Sequence, residues 1–326
     1  MFRLLQSFFG FGDAIGGYPE SLVNRAIERA VDGTDPCLRT VSGYKRKLRP
    51  AVISAIDYVI ALVDRLPPPV SVDLERRSED PLLRAFFISH EELRKVFGKD
   101  SNLARFMRGS PGVPDKVFAL LAMEKIEKVI FGAELSGDIV MRDVPQMTVC
   151  FEAHRLIDPS DSEVETRRLL KRRAYDHLVS LALRQITTTK TERKDLERRH
   201  ALFQSKLNIM LRGGWGFEGD VCTDNIDISW LEEQIEQIET QLLEIGGDDR
   251  MFNVYLDILI QVLGGPGEHL WGTKETLFLD GMGIKRNQAA PNVHELNFPE
   301  ISNSEGRRLV MLLVTLSGEE LRSLLA

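Results

Sequence analysis

The sequence predicts a predominantly helical α+β protein. An N-terminal helical region precedes a small, mostly antiparallel β-platform, and a long antiparallel coiled-coil hairpin interrupts that platform. Three observations carry this expectation. The first 135 residues break into short amphipathic segments bounded by helix-start and helix-stop residues. Residues 138–157 then switch to a period of two. From Val164 to Arg212 there is neither proline nor glycine, and a second amphipathic segment follows a glycine-containing connection. The expected division is 1–135 for the helical region, 136–160 with 265–326 for the platform, and 161–264 for the inserted hairpin, its tip near 213–228.

Taken in order, "MFRLLQSFFGFGDAIGG" places Phe2, Leu5 and Phe9 on one helical face. A helix docked on the core is the first reading, and membrane contact by residues 1–11 is the second. Pro19 opens the next helix, whose stripe of Leu22, Val23, Ala26, Ile27 and Ala30 runs to Gly33. "PAVISAIDYVIALVD" reads as a buried helix with Asp57 and Asp64 on one wet edge; its apolar runs are shorter than the ~20 residues a bilayer crossing needs. "SHEELRKVFG" starts with Ser89 and Glu92 in capping-box spacing. "PDKVFALLAMEKIEKVIFG" is expected to be a helix from Pro114 to Gly132, supported by Glu124 and Lys128 four apart.

Met147, Val149, Phe151 and Ala153 alternate with Thr148, Cys150, Glu152 and His154, so a β-hairpin over 138–157 with "DVPQ" as its turn is expected. Strand character returns in "ETLFLDGMGIKR", "VHELNF" and "RRLVMLLVTL", and Ser317 with Glu320 caps a last helix. Within the insertion, Ile186, Arg193, His200 and Leu207 repeat every seven beside Thr189, Leu196, Phe203 and Met210, an imperfect heptad. Leu231, Ile235, Ile238, Leu242 and Ile245 then follow in 4-3-4-3 spacing.

Charge is divided along this hairpin. Residues 164–212 hold thirteen Lys and Arg against five Asp and Glu, and residues 213–249 hold eleven Asp and Glu with no Lys or Arg. Ion pairs flanking an antiparallel seam are expected to join the two arms, placing 229–249 opposite 192–212. The densest basic stretch, "TRRLLKRR" at 166–173, then falls opposite 268–274, where Glu268 is the one acid. Arg167, Arg168, Lys171 and Arg172 share one side of their helix and are the candidate polyanion contact, weighed against a solvated or internally paired face. A second basic run, "YKRKLRP", occupies 44–50.

The motifs that resemble known chemistry fall short of it. "GGWGFEGD" has G-x-G-x-x-G spacing but follows a helix and precedes acids that repel phosphate. It reads instead as a hairpin tip displaying Trp215 and Phe217 as candidate partner contacts. "GEHLWGTKET" reverses the last two residues of a phosphate loop, and "VHELNF" lacks the second histidine of a zincin. Glu218, Asp220, Asp224 and Asp227 lack EF-hand spacing. Cys150, Glu152 and His154, expected on one strand face, are acceptable metal ligands too few for a zinc site. No cofactor or metal site is expected.

With 42 Lys and Arg against 49 Asp and Glu, the net charge of −7 argues against non-specific nucleic-acid binding by the whole surface. Three scattered cysteines, Cys37, Cys150 and Cys222, suit a reducing, cytoplasmic setting. The expected function is that of a non-catalytic structural or adaptor protein that binds a protein partner or a second copy through the hairpin. The alternative is a nucleic-acid-associated protein using 167–173. A third reading is an enzyme of unknown class with its site near Cys150 and His154.

Overall fold

The structure, a computed structural model, describes residues 17–73, 80–110, 112–136, 139–212, 228–245, 250–288, 290 and 292–325. The expectations for residues 1–11, for Trp215 and Phe217, for the acidic tip and for Cys222 lie outside the described residues. The N-terminal half runs α1 (Glu20–Asp32), a 3-10 turn (Pro36–Thr40), α2 (Tyr44–Asp64), β1 (Val70–Ser71), α3 (Pro81–Phe86), α4 (His90–Lys99), α5 (Ser101–Gly109), β2 (Lys116–Ser136) and β3 (Ile139–Ser160). After these come α6 (Glu163–Arg212), α7 (Ile228–Ile245), α8 (Met251–Gly264), α9 (Pro266–His269), β4 (Leu270–Asp280), β5 (Lys285–Arg286), β6 (Val293–Asn303), β7 (Arg308–Ser317) and α10 (Gly318–Leu325). An α+β protein with a largely antiparallel sheet is therefore what the sequence encodes. The chain divides into two compact units, and the division falls inside α2 and α6.

The sheet unit comprises the described residues of 56–175 and 266–325. Its strands lie in the order β3-β2-β7-β6-β4-β5, with β1 parallel on β7 through Val70↔Val314. The sheet curls until its two ends meet: Thr148 bridges Ile284, and the Val149 amide donates to the Gly283 carbonyl at 2.9 Å. Val117, Ala119, Leu121 and Met123 of β2 line the inner side with Phe151, Leu279, Phe298 and Leu312, and Phe86, Phe97 and Leu321 of the short helices join the same core. Phe86 meets Phe151 edge-on at 4.6 Å and Phe298 at 5.7 Å, the geometry that aromatic quadrupoles favour. On the outer side, Leu120 and Leu313 pack with Val63, Leu66 and Leu170.

This double burial corrects the helix expected from Pro114 to Gly132. The segment is β2, paired along its length with β3 and over Lys116–Met123 with β7. A strand covered on both faces reads as an unbroken apolar run, which periodicity does not separate from a buried helix. The helical region expected over 1–135 thus gives way at Lys116. The hairpin expected within 138–157 is also corrected: 139–160 is one strand, with Pro145 opposite Phe131 inside it. Proline is tolerated there because β3 is the first strand of the sheet order and the missing N–H faces away from the ladder. The helix starts read from capping residues hold: Ser89 Oγ accepts from Glu92 N, and Ser317 Oγ from Glu320 N.

The helical unit comprises the described residues of 17–55 and 176–265. Val23, Ala26, Ile27 and Ala30 of α1 are buried, as are Leu178, Ala182 and Ile186 of α6 and Tyr255, Leu256 and Leu259 of α8. A side chain at Gly33 would bring its Cβ to 2.7 Å from Val179, so this glycine permits the close approach of α1 to α6. Glu28 gathers Lys45 at 2.9 Å, Arg39 at 2.8 Å and the Tyr44 hydroxyl at 2.8 Å. These partners, Lys45 first, hold its carboxyl down to about 2. Arg49 pairs with Glu20 at 2.5 Å, so Lys45 and Arg49 of the second basic run are answered within this unit.

Candidate functional site

The basic stretch at the start of α6 meets carboxylates and carbonyls of its own chain. Arg167 bonds Glu163 at 2.8 Å and donates to the carbonyls of Val63, Leu66 and Pro67 at 3.0–3.2 Å. These carbonyls lie at and just past the C-terminal end of α2, where helical partners run out. Arg168 Nε bonds Glu165 at 2.7 Å, Lys171 pairs with Asp64 at 2.7 Å, and Arg173 grips Asp158 through two nitrogens at 2.7 and 2.6 Å. Arg172, half-buried, has no acidic partner among the described residues. Three of the four candidate polyanion contacts thus stand in ion pairs.

Further along α6, in the helical unit, Lys190 sits between Asp35 at 2.5 Å and the Tyr255 ring at 5.0 Å. Burial works against the Asp35 carboxylate, but Lys190 and the Cys37 amide outweigh it and hold its pKa low. Arg193 is buried at its seam position and satisfied by Glu197 at 2.7 Å. His200 Nε2 meets Glu239 of α7 at 2.8 Å, and Phe203 contacts Trp230 edge-on at 5.9 Å. Leu231, Ile235 and Ile238 of α7 are buried.

The ion pairs expected along this seam are largely missing. Among the described residues His200–Glu239 is the one pair joining α6 and α7. Arg198, Arg199 and Lys206 are exposed and form no ion pair among the described residues; the same holds for Glu232, Glu233 and Glu236. The expected pattern is therefore reversed: the stretch at 167–173 is mostly neutralised in place, and the distal charges are not. The outer surface of α6 and α7 also exposes Leu202 (53%), Ile209 (70%) and Leu243 (74%). Exposed aliphatic side chains beside unanswered charge make this the candidate site.

Cys150, Glu152 and His154 do not share a strand face, which corrects the grouping behind the enzyme reading. Ala153 has φ 55°, and the β2–β3 register shifts between Ala122 and Glu124, so one extra residue on β3 reverses the alternation. Cys150 Sγ and Glu152 lie together at 3.6 Å, with burial and Glu152 raising the thiol's pKa. His154 turns to the inner side, stacking on Phe87 at 4.5 Å and bonding the Phe86 carbonyl at 2.8 Å. Burial pushes its pKa down although that carbonyl opposes the shift.

Sequence reasoning missed one ionisable cluster altogether. Lys125, Glu275 and Glu300 come from three strands and face one another on the inner side of the curled sheet. Burial, then the Glu275 carboxylate, pushes Glu300 up. Burial acts the same way on Glu275, but Glu300 and the Lys125 ammonium outweigh it and hold it low. Of the two carboxyls, Glu300 therefore gives up its proton less readily than Glu275. Nothing local in the sequence links positions 125, 275 and 300; the link needs β2 to be a strand and the register of the strands between β2 and β4.

No family model matches the chain, and neither a curated protein nor a solved structure does. Among the described residues no helix is long and apolar enough to cross a membrane.

Proposed function

We propose that this is a non-catalytic structural or adaptor protein that binds other protein through the outer surface of a coiled-coil hairpin formed by α6 and α7. The observation that carries the reading is the exposure of Leu202, Ile209 and Leu243 on helices where Arg198, Arg199, Lys206, Glu232, Glu233 and Glu236 form no ion pair among the described residues. The contacts His200–Glu239 and Phe203–Trp230 support the antiparallel course of the hairpin, because the position moves up α6 as it moves down α7. Binding buries the aliphatic side chains, and the charges set partner and register. A cytoplasmic setting goes with this reading; Cys37 and Cys150 are free thiols.

The test places a photo-crosslinking amino acid at Leu202, Ile209 or Leu243 in the source cells. Ile88 (84% exposed) and Met282 (82%) serve as apolar controls outside the two helices, each more exposed than the three test positions. Protein adducts at the three helical positions and none at the controls are expected. Adducts at neither set, or equally at both, would overturn the reading.

A further inference from the structure

The charged surfaces of α6 and α7 are ordered, and their order identifies an occupant. At 100° per residue, Arg198, Arg199, Leu202, Lys206 and Ile209 fall within an arc of about 100° on α6. Asp195 stands on the same strip one turn earlier, so the strip is purely basic from Arg198 onward. On α7, Glu232, Glu236, Glu239 and Leu243 fall within about 60° of one another, with Glu233 about 60° beyond Glu236. Each helix thus carries an exposed aliphatic centre edged by a single sign of charge, and the two signs are opposite. Glu239 is engaged by His200; Arg198, Arg199, Lys206, Glu232, Glu233 and Glu236 form no ion pair among the described residues.

We infer that the occupant of this surface is a second copy of the same chain, the basic strip of α6 in one molecule lying against the acidic strip of α7 in the next. The charge complementarity selects this partner over others, because one chain displays both halves of the match and leaves both open. Surface ion pairs alone are weak, and the aliphatic centres, Leu202 and Ile209 against Leu243, supply the burial. Each contact joins a basic strip to an acidic one, so two copies related by a twofold axis make it twice. This inference rests on the proposed role of α6 and α7 and names the partner.

Sedimentation equilibrium of the nuclease-treated full-length protein tests it, at about 50 mM and about 500 mM salt, where screening differs severalfold. At low salt the average mass is expected to exceed one chain and rise with concentration; at high salt it falls toward the monomer. An Arg198/Arg199/Lys206→Gln variant and a Glu232/Glu233/Glu236→Gln variant, each with wild-type circular dichroism, are expected to be monomeric alone. Mixed in equal amounts they should form a complex of two chains, since each retains the surface the other lost. Wild type that stays monomeric at low salt would overturn the inference. So would association that both variants keep separately, or a mixture that stays monomeric. If a monomeric wild type still yields protein adducts at Leu202, the second copy is wrong and the proposed interaction role stands; if it yields none, both fail.

Discussion

Arg167 and Arg198 stand on one helix and carry the same group, yet their surroundings differ. Arg167 is enclosed by Glu163 and by three carbonyls at the end of α2. Arg198 is exposed and forms no ion pair among the described residues. The first is part of how the sheet unit is held together, since it satisfies acceptors that a helix end leaves open. The second contributes little to the fold and is available to a partner. Density of charge in a sequence therefore does not by itself mark charge left open; the denser stretch here is mostly paired within the chain.

Four measurements test the difference between paired and open charge. The largest effect is expected inside the sheet. Glu275→Gln should lower the unfolding free energy in urea at pH 7 by about 3 kcal/mol, because Lys125 loses its nearer ionised partner and keeps Glu127 at 3.5 Å. Glu300→Gln should cost less, about 1 kcal/mol, since burial and Glu275 already disfavour the charge it removes and the amide can still donate. Equal losses would refute that ordering of the two carboxyls. Next, Arg167→Met should cost about 2 kcal/mol by leaving several carbonyls and Glu163 without their donor. Arg198→Met should stay within about 0.5 kcal/mol; similar costs at both sites would erase the distinction drawn here. A double-mutant cycle on Lys171 and Asp64 should give a smaller coupling, about 0.5–1 kcal/mol, because Asp64 is half-exposed.

The fourth is a pH dependence. Burial holds His154 and His177 below the ordinary histidine value of 6.5, so the unfolded chain binds more protons than the folded one as pH falls through that value. Stability is then complete above about pH 6.5 and is lost toward lower pH. Urea midpoints measured from pH 7.5 downward should show this slope, and His154→Phe, which keeps a ring on Phe87, should reduce it to the share of His177. An unchanged slope would mean that His154 is already protonated in the fold.

How much was legible depended on whether the signal was local. Ser89 with Glu92 and Ser317 with Glu320 mark helix starts because the capping bonds close within four residues. The stripe of α1 and the long uninterrupted run of α6 were legible for the same reason. β2 was misread because its pairing on both sides makes Val117–Met123 uniformly apolar and removes the alternation. The face of His154 was misread because a single left-handed residue, Ala153, reverses the strand's parity, and alanine gives no warning of that conformation. The Lys125–Glu275–Glu300 cluster had no local signal, since its members meet through strand register alone.

By itself the sequence determined the α+β class, the helix starts and the charge asymmetry of the 164–249 segment, all properties of residues close together in the chain. The tertiary structure decided which of those charges are answered. Arg167 and Lys171 find their partners at the end of α2, about a hundred residues away, whereas Arg198, Arg199 and Lys206 stand much nearer in sequence to the acids of α7 yet carry no ion pair among the described residues. Coulomb attraction falls off over a few ångströms in water, so pairing follows the direction in which a side chain leaves its helix and not its distance in sequence.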